Sequence, residues 1–241
     1  MSRLAPWSAV ALVLLTLPAC SVLSKLEEPV ELYTVTPKST FEDQLPSVDW
    51  QLVVDPPTAA AHLNSGRIAL QFTPTTSDYY AHVAWIDRAP LMLQTRIVDS
   101  FENTRRIIGV GRDPVAVRAN YILQSELRAF QAEYFHGGGP VVHVRVIARL
   151  VRMPERQIVA TRGFERCFRA REDKVAPVVE AFDAAVGSVV KRLVTWTLTA
   201  VPRQVPIDGV PLPRRIADMD NDNVGCPKPG QPIDIPAAPP L

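Results

Sequence analysis

The sequence predicts an α+β domain: a mixed, mostly antiparallel sheet with two long helices packed on one face. Three long segments in the middle of the chain alternate between apolar and polar residues. This alternation is typical of antiparallel strands with one buried and one hydrated face. Two other segments repeat apolar residues at helical spacing, so each is expected to lie with one side on something apolar. One such layer of helices over a sheet defines the fold class.

The first half of the chain predicts short strands and one amphipathic helix. Prolines and polar turns end the strands. Asp87 is expected to cap the helix, with Pro90 in its first turn. Thr58 is the candidate cap of a shorter helical turn. The predicted elements are strands at 31–36, 50–54, 67–72, 81–85 and 106–110, a helical turn at 58–63 and a helix at 87–104.

The second half predicts the three long strands and the longest helix. The strands are expected at 119–134, 141–151 and 157–168, and the helix at 172–196. Apolar residues recur every three or four positions along this helix, which fits either a coiled coil or a helix packed on the sheet. Three heptads without ordered charge pairs are weak for a coiled coil, so packing on the sheet is favoured.

The N-terminus has the layout of an export signal. Arg3 precedes an apolar run at 7–17, which is too short to span a bilayer, since that needs about 20 residues. The next residues complete Leu17-Pro18-Ala19-Cys20, which resembles a bacterial lipobox, although Pro18 departs from the commoner Ala or Ser. We therefore expect a signal peptide at 1–19, lipidation of Cys20 and a tether at 20–30. An ordinary signal peptide or an uncleaved anchor is the alternative.

Composition sets further limits. The 241 residues suffice for one domain with a core, and the formal net charge of +1 gives no bias towards nucleic acid. Besides Cys20, the chain has Cys167 and Cys226, which either form a disulfide in an exported protein or stay as two free thiols. Ten of the 23 prolines lie after residue 201, which predicts a flexible tail at 201–241 next to a folded domain at 31–200.

No catalytic, metal or cofactor motif is recognisable. The sequence lacks a phosphate-binding loop, a dinucleotide fingerprint and a nucleophile elbow. His82 and His143 fall on the hydrated side of predicted strands, where solvated imidazoles are expected. His136 and the glycines after it are interpreted as a hinge between strands. Residues 218–222 resemble the start of a calcium loop but lack its glycine and glutamate, so an acidic surface segment is preferred.

Taken in order, these features resemble the bacterial ABC-type transport auxiliary lipoproteins of the paraquat-inducible protein C type. The resemblance extends over about residues 20 to 200. No single motif is highly specific. The resemblance rests on the combination and order of several segments, most of whose residues are expected in the core. The residues concerned are Cys20, Leu32 to Pro37, the segment from Tyr80 to Phe101, Tyr121 to Phe130, Arg162 to Phe164, and Val175 to Trp196.

The resemblance implies a role and no reaction. Members of this family work beside an ABC permease, its ATPase and a substrate-binding protein with a mammalian-cell-entry domain, and move lipids or other hydrophobic molecules between the inner and outer membranes. Only Cys20 carries over, as the residue that receives the lipid, a diacylglycerol with acyl chains such as palmitate. Ser21 is consistent with sorting to the periplasmic face of the outer membrane. Two other classes stay open: a structural envelope lipoprotein that binds proteins or peptidoglycan, and a lipoprotein hydrolase. Homo-oligomerisation is also open.

Overall fold

The computed structural model describes residues 29–42, 44–112, 119–200, 223–224, 226–227 and 235–239. Within these residues the chain forms ten strands and two helices. The strands are β1 (Glu31–Tyr33), β2 (Val48–Val54), β3 (Thr58–Ala59), β4 (Arg67–Thr73), β5 (Thr76–Trp85), β6 (Ile107–Gly111), β7 (Tyr121–Glu133), β8 (Val141–Arg152), β9 (Gln157–Arg169) and β10 (Asn223–Val224). The helices are α1 (Ala89–Thr104) and α2 (Val175–Ala200).

A single mixed sheet contains all ten strands, in the main order β1-β5-β4-β7-β8-β9-β10. Its longest ladders, β7 with β8 and β8 with β9, are antiparallel. The parallel pairings are short. Three of them join β2, β3 and β4 one after another along the same edge of β7. The predicted fold class is therefore confirmed, with β7 as the strand on which both halves of the sheet meet.

Both helices cover the same face of the sheet. α2 packs on β8 and β9, and α1 packs on β2, β6 and α2. The large apolar core lies between the helices and the sheet, and α2 contributes its apolar stripe to it, including Phe182, Val186 and Leu193. The helix at 172–196 thus packs on the sheet, as the lack of ordered charge pairs in its heptads favoured.

Two local predictions are wrong. Residues 58–63 begin as β3, because Thr58 and Ala59 pair with β7, and only the residues that follow form a turn. Asp87 does not cap α1: Arg88 occupies the N-cap position without a side-chain cap. The Asp87 carboxylate instead accepts the backbone N–H of Arg88, at 2.7 Å. Pairing with a distant strand and a local side-chain bond outweigh propensity in these two cases.

Parts of the predicted tail lie against the sheet. β10 pairs in parallel with β9, and Ala237 forms a bridge to Arg169 at the end of the same strand. Ile235 and Ala238 are buried. These short segments cover the end of the sheet where β9 finishes.

Candidate functional site

The lipidation site predicted at Cys20 lies outside the described residues, as does the acidic segment at 218–222. Both stay predictions. The described chain begins at residue 29, near the end of the predicted tether, and β1 follows.

Among the described residues, a concentrated group of interacting titratable side chains spans β7, β8 and β9 on the face away from the helices. Its position follows from the period of two along β8. Val142 and Val144 point into the core, so His143 between them points to the other face. The antiparallel ladders place Gln131 on one side of His143 and Cys167 on the other. We call Glu133, His136, His143 and Glu165 the Glu–His cluster.

The distances in the Glu–His cluster are those of charge-assisted hydrogen bonds. His143 Nδ1 lies 2.8 Å from Glu133 Oε1, and His143 Nε2 lies 2.6 Å from Glu165 Oε1. The second oxygen of Glu133 lies 2.6 Å from His136 Nε2. Gln131 donates to Glu133 Oε1 at 2.9 Å. His143 therefore lies between two carboxylates, and both of its ring nitrogens have an acceptor.

These contacts decide the charge state. Burial disfavours the charged imidazole, but the hydrogen bonds with Glu133 and Glu165 and their negative charges raise the pKa of His143 to about 9. Burial would likewise raise the pKa of Glu133, but the hydrogen bonds from His143, His136 and Gln131 lower it below its ordinary value. At neutral pH the cluster holds an imidazolium between carboxylates. A protonated His143 is a poor general base, and its ion pairs with Glu133 and Glu165 link β7, β8 and β9.

The sequence prediction for His143 is therefore wrong: the imidazole is largely buried and ion-paired. Sequence reasoning also missed Glu133 and Glu165. Glu165 lies on the hydrated parity of β9, but Glu133 shares its parity with residues such as Leu123, which the sequence alone assigns to the buried face. The bulge between Leu127 and Ala129 reverses the parity at the end of β7 and places Glu133 on the hydrated face, and local sequence spacing does not reveal this bulge.

A disulfide closes the site on the β9 side. Cys167 and Cys226 are joined, with 5.0 Å between their Cα atoms. Cys167 packs with Val141 and Ile235 in a small apolar cluster of its own, and the half-buried Cys226 packs against it. His143 and the two cysteines have ligand atoms that all lie within 4.8 Å of one another. Local spacing in the sequence could not reveal this grouping, because the three residues come from three separate segments.

The connection between β7 and β8 is bound to the same site. Gly137, Gly138 and Gly139 all have positive φ, which only glycine adopts readily. Arg169 donates to the carbonyl oxygens of Gly137 and Gly139. With His136 held by Glu133, the segment interpreted as a hinge is tied to the sheet at both of its ends.

An exposed apolar edge lies at the opposite side of the sheet, next to the tether. Val30, Leu32 and Ile86 are each more than half exposed, at 55%, 61% and 53%. β1 pairs with β5, and Ile86 donates its backbone N–H to Tyr33. The three side chains thus belong to the edge where the described chain begins.

None of the helices in the described part of the chain has the length and apolar character needed to cross a membrane.

Comparison with known proteins agrees with this architecture. The family of ABC-type transport auxiliary lipoprotein components matches residues 31–194, from β1 into α2. This range covers more than half of the chain, and the protein belongs to that family. The resemblance found in the sequence is thereby confirmed.

Solved structures show the same fold. Protein XCC0632 from Xanthomonas campestris is 31% identical with a TM-score of 0.67, and the match covers 70% of this chain and 95% of that one. An uncharacterized protein of known structure, 14% identical, has a TM-score of 0.51 over 71% of this chain and 95% of its own, which shows the fold alone.

A curated relative is similar in sequence over part of its length. The uncharacterized protein bll6063 of Bradyrhizobium diazoefficiens is 32% identical over 151 residues, which are 62% of this chain. The match covers 40% of that relative, so the chain spans well under two thirds of its length.

Proposed function

We propose that this protein is a lipid-anchored periplasmic accessory subunit of an ABC transport system. In this role it is tethered through Cys20 to the outer membrane and docks on a substrate-binding protein with a mammalian-cell-entry domain. The permease and ATPase of that system move lipids or other hydrophobic molecules between the two membranes. The chain supplies a docking domain and no catalytic step of its own.

The observation that carries the proposal is the family match over residues 31–194, which includes every element from β1 through most of α2. The lipobox at Leu17 to Cys20 supports the anchor. A lipid on Cys20 would hold the domain near the membrane, because the eleven residues to Glu31 reach at most about 40 Å when fully extended.

The anchor is tested by fractionation of cells that produce Cys20→Ala from the native export signal. We expect wild-type protein in the outer-membrane fraction and the variant in the soluble periplasm. Stable attachment needs two or three acyl chains, and the variant has no thiol at position 20 to receive the lipid. His62→Gln is the control, since it changes an exposed side chain and keeps both the lipidation site and the disulfide. If Cys20→Ala still sediments with outer membrane, the lipid tether is not what holds the protein there.

The partner is tested by affinity purification of tagged, membrane-extracted protein after in-cell crosslinking. The expected product contains the mammalian-cell-entry-domain protein, and Cys20→Ala still captures it in lysate, because docking uses the folded domain. Retention on cell-wall sacculi without transporter subunits would indicate the structural envelope role instead. Turnover of ester or glycoside substrates by the purified protein would indicate the hydrolase alternative.

A further inference from the structure

Two sulfur atoms and an imidazole converge on the face of the sheet away from the helices. His143 lies directly across from Cys167 in the β8–β9 ladder, and Cys226 follows two residues after β10. Their ligand atoms lie within 4.8 Å of one another. We propose that reduction of the Cys167–Cys226 disulfide converts this grouping into a binding site for a zinc-type divalent cation, with His143 as the third ligand.

The donor set selects the class of cation. Two thiolates with an imidazole are typical ligands of structural zinc, which is held in tetrahedral geometry with Zn–S distances of about 2.3 Å. In that geometry two sulfur ligands are separated by about 3.8 Å. The observed grouping within 4.8 Å is compatible with such a site after side-chain rotation. Calcium and magnesium prefer oxygen ligands and do not fit it.

Glu165 lies next to the proposed site, on the same strand as Cys167. The Nε2 atom of His143 is the ring nitrogen on the β9 side, and it lies 2.6 Å from Glu165 Oε1. A cation bound to Nε2 would replace this hydrogen bond, and its fourth position would be filled by water or by Glu165 after a side-chain rotation. Glu165 is buried. Its second carboxylate oxygen lies 3.8 Å from Nε of Arg145. A divalent charge would offset the two thiolates there.

The opposite nitrogen of His143 already has the partner that a metal-bound histidine requires. A zinc-ligating imidazole usually donates its other N–H to a carboxylate, which fixes the tautomer and the ring orientation. Nδ1 of His143 lies 2.8 Å from Glu133 Oε1, and Gln131 donates to the same oxygen at 2.9 Å. Glu133 is thus a positioning residue for the proposed ligand.

The chemical steps balance with a dithiol as the reductant. The dithiol transfers two electrons and two protons to the protein disulfide, which becomes two cysteine thiols while the reductant becomes its own disulfide. Binding of the cation then releases the two thiol protons. The disulfide and the metal are mutually exclusive, but both keep Cys226 next to Cys167 and β10 on β9.

The test uses the full chain with Cys20→Ser, so that Cys167 and Cys226 are its only thiols. The protein is reduced with dithiothreitol, desalted under argon and titrated with Co²⁺, which reports thiolate ligands by charge-transfer absorption and tetrahedral geometry by visible bands. We expect one Co²⁺ per chain, displaced by Zn²⁺, and no such absorption before reduction. If the reduced protein gives the same spectrum as the Cys20→Ser/Cys167→Ser/Cys226→Ser variant, the proposal is overturned.

Variants identify the other ligands. We expect Cys20→Ser/His143→Gln to bind Co²⁺ at least tenfold more weakly, and Glu133→Gln in the same background to lose about 10- to 100-fold. His62→Gln, which changes an exposed imidazole, is the matched control with unchanged affinity. Wild-type affinity in His143→Gln would overturn the assignment. In the reduced Cys20→Ser protein, which keeps all the proposed ligands, we expect Zn²⁺ to slow the alkylation of both cysteines by iodoacetamide. Equal rates with and without Zn²⁺ would contradict the site.

Discussion

Glu133, His143 and Glu165 form an acid–base–acid row across three adjacent strands. Each charge would be unfavourable alone in so buried a position, and together they satisfy one another's hydrogen bonds. The row is extended by His136 and Gln131 on Glu133. Removal of the central imidazole leaves two carboxylates facing the same gap.

We expect His143→Gln to lower the free energy of unfolding by about 3 kcal/mol, because a buried ion pair that loses one partner leaves an uncompensated charge. The measurement is urea unfolding at pH 6 with the disulfide intact and EDTA present. His62→Gln, on an exposed turn, should change stability by less than about 0.5 kcal/mol. Equal effects of the two substitutions would contradict the ion-pair role.

The same cluster predicts a pH dependence. The pKa of His143 is raised from 6.5 to about 9, so its stabilisation is complete below pH 6.5 and is lost as the pH rises through 9. The pKa of Glu133 is lowered from 4.5, so its stabilisation is present above that value and is lost as the pH falls. We expect the free energy of unfolding, measured with the disulfide intact, to decline between pH 6.5 and 9. His143→Gln should remove most of this decline, and an unchanged slope would argue against the assignment.

At the scale of elements, β7 and α2 connect the two halves of the domain. β7 receives three short parallel strands on one edge and the long antiparallel β8 on the other. Across this junction, Phe182 of α2 contacts Trp85 and Phe130, with ring centroids 5.2 and 5.0 Å away. These aromatic contacts join α2 to β5 and β7, which are not adjacent in the sheet.

We expect Phe182→Ala to lower the free energy of unfolding by about 4 kcal/mol, because it opens a cavity in a fully buried aromatic cluster. The check is urea unfolding followed by tryptophan fluorescence, with circular dichroism to confirm that the helices persist. Ile108→Ala, at a strand position that is 67% exposed, is the control and should change stability by less than about 0.5 kcal/mol. A loss below 1 kcal/mol for Phe182→Ala would show that the cluster does not fasten α2.

At the scale of the whole molecule, a disulfide links the C-terminal segment around Cys226 to β9 of the folded domain. The disulfide closes a loop between residues 59 positions apart. It also keeps the buried Ile235 near Val141 on a face that the helices leave uncovered. Residues after α2 therefore contribute to stability even though the family match ends at residue 194.

We expect a chain that ends at Ala200 to keep its helices and sheet but to unfold at lower urea concentration. In the chain-entropy view, loss of a disulfide over 59 residues accounts for about 4 kcal/mol. Cys226→Ala in the full chain separates this effect from the loss of packing by Ile235, and the truncated chain should be the less stable of the two. An unchanged midpoint in the truncated chain would mean that the segment is a dispensable tail.

The sequence by itself determined the features that depend on local periodicity. The alternation along β7, β8 and β9 and the apolar stripe of α2 can be recognised from residue spacing. Each of these elements buries one face, so its apolar residues recur with the period of the strand or the helix. Those patterns, with the order of the elements, also sufficed to identify the family. The lipobox is likewise readable, since it is a contiguous motif, and Cys20 stays a prediction.

Only the tertiary structure decided which distant residues meet. β3 forms at Thr58 because the edge of β7 is available for pairing there. The intrinsic propensity of residues 58–63 cannot predict this pairing, since it depends on a distant strand. The Glu–His cluster depends on the register of two hairpins, and the pairing of Cys167 with Cys226 depends on where the C-terminal segment returns to β9. Side-chain chemistry at a site is set by such through-space contacts, which local sequence spacing leaves undetermined.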